Sequence, residues 1–194
     1  FWSIANPLPA GGPDSEVGLD GASSVITTGT SHGWFMADSS FSFTPTEHYG
    51  ARLTVVNAQM GTNSNFGLCG KADDFPYLNY PHINIRDFGA GVMVIDLIPP
   101  TYPPFGRKFT SIPPGTMGTW MIEYYTDQVL VYFNGVLQFD SQVDAVGVPF
   151  ATYPLWPQFS SDTFKIDRVL WESMERIAVI DRVPVDGAGN VPVD

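Results

Sequence analysis

GTWMIEYYTDQVLVYFNGVLQF, residues 118–139, reads as three antiparallel strands joined by two tight turns. Trp120, Ile122 and Tyr124 fall on one side of a pleated strand and Met121, Glu123 and Tyr125 on the other, because successive side chains alternate. Thr126 and Asp127 supply the first turn. The return run sets Val129, Val131 and Phe133 against Leu130 and Tyr132, apolar on both sides, as a strand inside a sheet requires. Asn134-Gly135 takes the positive φ of a two-residue turn and sends the chain into Val136, Leu137, Gln138 and Phe139. The period of two and the branched and aromatic composition predict an all-β protein with almost no helix.

Similar short runs recur on either side, at 23–30 (SSVITTGT), 41–45 (FSFTP), 51–58 (ARLTVVNA), 65–71 (NFGLCGK), 82–88 (HINIRDF), 91–98 (GVMVIDLI) and 163–173 (TFKIDRVLWES). Their lengths and spacing suit an antiparallel sandwich. The stretch 169–178 reads as a final strand followed by a single turn. Residues 98–114 are dense in proline, which removes ladder donors, and predict a long surface loop. Residues 1–22, rich in Gly and Pro without a sustained period, predict an irregular N-terminal arm whose apolar start, Phe1, Trp2 and Ile4, docks somewhere. Residues 176–194 carry Val-Pro-Val-Asp twice and predict an extended arm or linker. The sandwich is thus expected to occupy 23–175.

The 118–139 stretch resembles the strand pair of concanavalin A-like, laminin-G-like and glucanase-like jelly rolls, in which a W-x-I-x-Y strand precedes a V-x-V-Y-x-N-G strand. The runs at 41–45 and 51–58 look like early strands of that family, 65–71 like a middle strand and 163–173 like the closing strand. The resemblance spans about 23–172. It implies an antiparallel jelly-roll β-sandwich, and it implies fold far more strongly than function.

Composition narrows the function. The chain has 194 residues, of which 44% are hydrophobic, 14% aromatic and only 15% charged, so one sizeable core is affordable. Nine Lys and Arg stand against 20 Asp and Glu, a net charge of -11, and the first 51 residues contain no cation. A nucleic acid would be repelled. The lone Cys69 excludes an intrachain disulfide and a cysteine zinc site. No run of about 18 apolar residues predicts membrane insertion, and a signal peptide is not recognisable at the start. Because the sequence opens on Phe1, a processed or trimmed chain, or a segment of something longer, is expected.

Catalytic patterns are missing. The resemblance to glucanases would call for E-x-D-x-x-E on one strand, but the five glutamates, Glu16, Glu47, Glu123, Glu172 and Glu175, do not form it. The R-x-E-x-R and Q-x-H strands of the alginate-lyase branch are absent too. His32, His48 and His82 stand apart, without metal-ligand spacing. The expectation is a protein that is not an enzyme.

Two loop regions hold candidate binding residues. Residues 73–84 (DDFPYLNYPHIN) interleave Tyr77, Tyr80 and His82 with Asn79 and Asn84, and Tyr102 and Trp156 are candidates to join them; aromatics stack on sugar rings while amides take hydroxyls. The bland reading is that these aromatics cover the sandwich edge. Asn63, Asn65, Asp73 and Asp74 offer oxygens for a calcium ion, which lectins of this fold often hold on loops; solvated turns are the alternative, and no other cofactor is expected. Two functions follow. One is a non-catalytic lectin-like module for carbohydrate binding or surface attachment. The other is a structural component of a phage or viral particle, or of another large extracellular assembly, with the terminal arms contacting protein neighbours in a homo-oligomer. Both place the chain outside the cell or on a particle surface.

Overall fold

The computed structural model describes residues 2–5, 16–20, 23–27, 34–37, 43–46, 48–60, 65–69, 82–87, 89, 91–98, 106–146, 156–160 and 164–176; for 2–37, 69, 82, 98 and 156–164 it describes the backbone path. In chain order the strands are β1 Trp2–Ala5, β2 Glu16–Asp20, β3 Ser23–Thr27, β4 Trp34–Ala37, β5 Tyr49–Met60, β6 Asn65–Cys69, β7 His82–Asp87 and β8 Met93–Ile98. There follow β9 Gly106–Phe109, β10 Gly118–Tyr124, β11 Val129–Phe133, β12 Val136–Asp140, the single-turn helix α1 Ser141–Asp144, β13 Trp156–Ser160, β14 Phe164–Ile166 and β15 Arg168–Glu175. They build two antiparallel sheets. One runs β1-β4-β13-β6-β7-β8-β9; the other runs β12-β11-β10-β5-β14-β3-β2, with β15 also paired to β5. The architecture is the expected all-β jelly-roll sandwich.

The 118–139 reading holds in detail. Trp120 pairs with Phe133, Ile122 with Val131 and Tyr124 with Val129, and Asn134 and Gly135 turn with φ of 49° and 77°. Asn134 Oδ1 accepts from the Thr119 amide at 2.8 Å, fixing the turn to β10. Trp120, Ile122, Val131 and Phe133, which alternation sets on one side of the β10–β11 pair, are buried, as is Ile166 of β14. The core joins the inner faces of both sheets: Phe66, Leu68, Ile83, Ile85, Ile95 and Leu97 from one, Leu53, Val55, Trp120, Ile122 and Val131 from the other. Phe66 and Trp120 meet edge to face across it, centroids 6.3 Å apart.

β5 is the spine of the second sheet. One edge of its twelve residues pairs with β10, and the other pairs first with β15 and then with β14. The change of partner falls at Asn57, whose φ is 50° and whose side-chain Nδ2 donates to Asp167 Oδ2. Asp167 is the break between β14 and β15, so one hydrogen bond marks the bend on both strands.

Three departures from the sequence reading have a common cause. Residues 2–5 and 16–20, expected in an irregular arm, are strands paired to β4 and β3. Residues 106–109, inside the expected proline-rich loop, form β9 beside β8. Conversely, within the expected strand 41–45, Phe43 makes only an isolated bridge and 44–46 are irregular. Such short pieces are strands only when another strand offers an edge, near in the chain as for β2 and β9 or far as for β1, which their own composition does not encode. Residues 177–194, expected as the C-terminal arm, lie outside the described residues. Among the described residues no helix is long and apolar enough to cross a membrane.

α1 closes the sandwich between the outermost strands β9 and β12. Asp140 caps it by accepting from the Gln142 amide at 2.9 Å, and Lys108 of β9 reaches Asp144 at 2.9 Å. Gly106 makes this approach feasible: a Cβ there would stand 2.1 Å from Ala145 Cβ.

Candidate functional site

Strand alternation turns one face of β6, β7, β8 and β9 into the core and leaves the other to carry polar groups. Backbone register aligns Gln158, Gly67, Asn84, Asp96 and Arg107 in one row across the sheet. The next row holds Ser160, Asn65, Arg86, Val94 and Phe109. A third row aligns the positions of Trp156, Cys69, His82 and Ile98. Gly67 interrupts the first row by necessity, since a Cβ there would come 1.8 Å from the Ile83 carbonyl oxygen.

The centre of this face is a charge cluster. Asp96, on β8, has no exposed side-chain surface. Arg107 grips it with Nε on Oδ1 at 2.6 Å and Nη2 on Oδ2 at 3.3 Å, while Arg86 Nη2 meets the same Oδ2. A buried carboxylate is tolerable only when paired and hydrogen-bonded in this way. Asn84 and Val94 are buried beside it. The arginines are the groups that surface, with 27% and 24% of their side chains exposed. Asn65 Oδ1 is buried and accepts no hydrogen bond among the described residues.

Of the residues singled out in the sequence, the structure therefore brings Asn65, His82, Asn84 and Trp156 to neighbouring positions of one sheet face. Asn63, Asp73, Asp74, Tyr77, Asn79, Tyr80 and Tyr102 lie outside the described residues. Sequence reading passed over Asp96, Arg86 and Arg107. Their signal was a carboxylate in the middle of MVIDLI, an otherwise apolar run, which needs cationic partners on the strands beside it. Among the described residues, His, Cys, Asp and Glu nowhere gather in threes that would hold a metal ion.

The opposite face of the molecule carries a second network. Arg52 Nη2 lies 2.7 Å from Glu123 Oε1 and Nη1 lies 3.4 Å from Glu172. Tyr125 donates to Glu123 Oε2 at 3.4 Å, and Arg176 stacks 5.0 Å from the Tyr125 ring while pairing with Asp127. Burial pushes the Tyr125 hydroxyl above its ordinary value of 10.0, and the Glu123 carboxylate adds to the shift. Tyr132 is raised by the same two causes and by Asp140. A raised folded-state value means that the folded protein holds the phenolic proton more tightly than the unfolded chain. The associated stability is fully present below about pH 10 and is lost as pH rises through the folded values. The tyrosinate absorbance of the native protein is thus expected to show at least two of the eight tyrosines titrating late, one fewer in Tyr125→Phe. A single transition at the free-tyrosine value would contradict these surroundings.

No protein-family model and no curated protein sequence matches the chain. Several solved structures are similar to it. The carbohydrate binding module CBM66 from Bacillus subtilis superposes with a TM-score of 0.54 at 10% identity, covering 88% of this chain and 94% of that one. The Emp46p carbohydrate recognition domain in its potassium-bound form gives 0.56 at 14%, covering 88% and 87%. A native glycosidic hydrolase gives 0.58 at 11%, covering 88% and 89%. The fold is that of the concanavalin A-like lectins and glucanases.

Proposed function

We propose that this chain is a carbohydrate-binding module working outside the cell or on a particle surface, with its sugar lying over the outer face of the seven-stranded sheet. The observation that carries the reading is that face itself, where core-backed strands set Asn84, Asp96 and Arg107 in one row and Arg86 in the next. Rigid strands position polar groups with little reorganisation on binding, which suits a ligand made of fixed hydroxyls. Two of the similar structures are named for carbohydrate binding or recognition, which favours this reading.

One similar structure is a hydrolase, and the same face weighs against that activity here. Glycoside hydrolysis uses a pair of carboxyl groups. Asp96 is the only carboxylate among the described residues of this face, and two arginines engage it. The binding reading assigns His82, Asn84 and Trp156 to the sugar, together with Tyr77, Asn79, Tyr80 and Tyr102. The expected result is that Tyr77→Ala and Tyr80→Ala weaken binding on a glycan array without changing the melting curve, and that polysaccharides release no reducing ends. Wild-type affinity in both variants would move the site elsewhere.

A second reading, a component of a larger assembly, is favoured by exposed Val136 and Leu137 on the edge strand β12 and by Val143 and Val146 just beyond it. Exposed apolar side chains at an edge unpaired among the described residues invite another chain. Light scattering tests it: a monomeric mass at high concentration would remove it.

A further inference from the structure

We infer that the carbohydrate this face takes is acidic, and that Arg86 and Arg107 recognise the carboxylate of a hexuronic acid residue. The inference rests on the carbohydrate-binding reading and narrows it.

One arginine balances the charge of one buried aspartate, so a second leaves the cluster net positive. Arg107 alone makes the two-point grip, Nε to Oδ1 and Nη2 to Oδ2, that matches a carboxylate. Arg86 is brought to the same oxygen from the opposite strand, although two guanidinium groups so placed repel each other. The chain has only nine Lys and Arg to distribute, and two of them converge here.

Exposure shows what the cluster offers. The carboxylate has no accessible surface, whereas each guanidinium-bearing side chain keeps about a quarter of its own. A ligand approaching this face therefore meets arginine side chains, with the aspartate sunk beneath them. Planar guanidinium groups prefer a planar carboxylate partner. The net charge of -11 and the cation-free first 51 residues disfavour a polyanion such as nucleic acid or a densely sulfated chain. One carboxylate on an otherwise neutral sugar satisfies both conditions. Asn84, paired with Asp96 and two residues from Arg86 on β7, and the position of His82 beyond it supply neighbours for the rest of the ring.

The test is isothermal titration of the full chain with a panel of neutral oligosaccharides each ending in one hexuronic acid, every member matched by the same molecule with its carboxyl reduced to an alcohol. The acid form is expected to bind at least about tenfold more tightly, the scale of one charge-assisted contact. Arg86→Gln, which spares the Arg107–Asp96 grip, should bring that ratio close to one while the melting curve stays cooperative. Equal affinities for the acid and its reduced partner would overturn the inference and leave a neutral-sugar module standing. No binding by any member of either set would overturn the inference together with the reading beneath it. A preference that persists in a folded Arg86→Gln protein would detach it from this cluster. Should Arg86→Gln not fold, the wild-type ratio alone decides.

Discussion

Trp120→Ala is expected to destabilise the protein by about 3–5 kcal/mol, among the largest effects available to a single core substitution. Trp120 is 1% exposed and lies at the centre of both sheets' contact. It tilts against Phe133 at 4.6 Å within its own sheet and meets Phe66 edge to face across the core. Removing the indole would leave a cavity bounded by strands that cannot close on it without breaking their ladders. Domains of this size have about 5–15 kcal/mol of stability in all, so the midpoint of urea unfolding should fall by a large fraction of its native value. A shift no larger than that of an exposed substitution such as Val143→Ala would contradict this packing.

Asp96→Asn should be nearly as damaging although it removes no volume. Without the carboxylate, Arg86 and Arg107 face each other beside a neutral amide, and breaking a buried ion pair by removing one partner costs about 3–5 kcal/mol. Both arginines retain exposure, which places the expected loss near 3 kcal/mol, at the low end of that range. Ionic strength separates this cause from a packing defect. Added salt screens the two guanidiniums and should recover part of the lost stability of Asp96→Asn, whereas it should not rescue Trp120→Ala. Equal salt responses in the two variants would show that charge is not what the aspartate contributes.

How much of this was legible in the sequence depended on whether a signal was local. The 118–139 hairpins carried their own register in alternation and in Asn134-Gly135, and the core residues followed from it. β1, β4, β9 and β13 had no such signature. They are short, and β1 pairs with residues 29–35 positions away. The site was half legible for the same reason. Asn84, His82, Asn65 and Trp156 stood out by residue type, but the Arg86–Asp96–Arg107 cluster joins three strands whose ion pairs follow from register, and no fixed motif spacing announces them. Reading 82–98 as two paired strands was enough to predict that Asp96 needs a cation; which cations serve it required the order β7-β8-β9.

The partner change along β5 sets the order of events during synthesis. Tyr49–Met60 leaves the ribosome before any of these partners: one edge of it waits for β10, and the other waits longer, for β14 and β15, more than a hundred residues later. At about 5–20 residues per second, that delay is about 5–20 s, during which the edge meant for β14 and β15 stays open. The nascent chain should therefore remain protease-sensitive until residues near Glu175 have emerged, then gain protection in one step. Its dependence on chaperones should be concentrated in that interval, because an unpaired apolar edge is where misassociation begins.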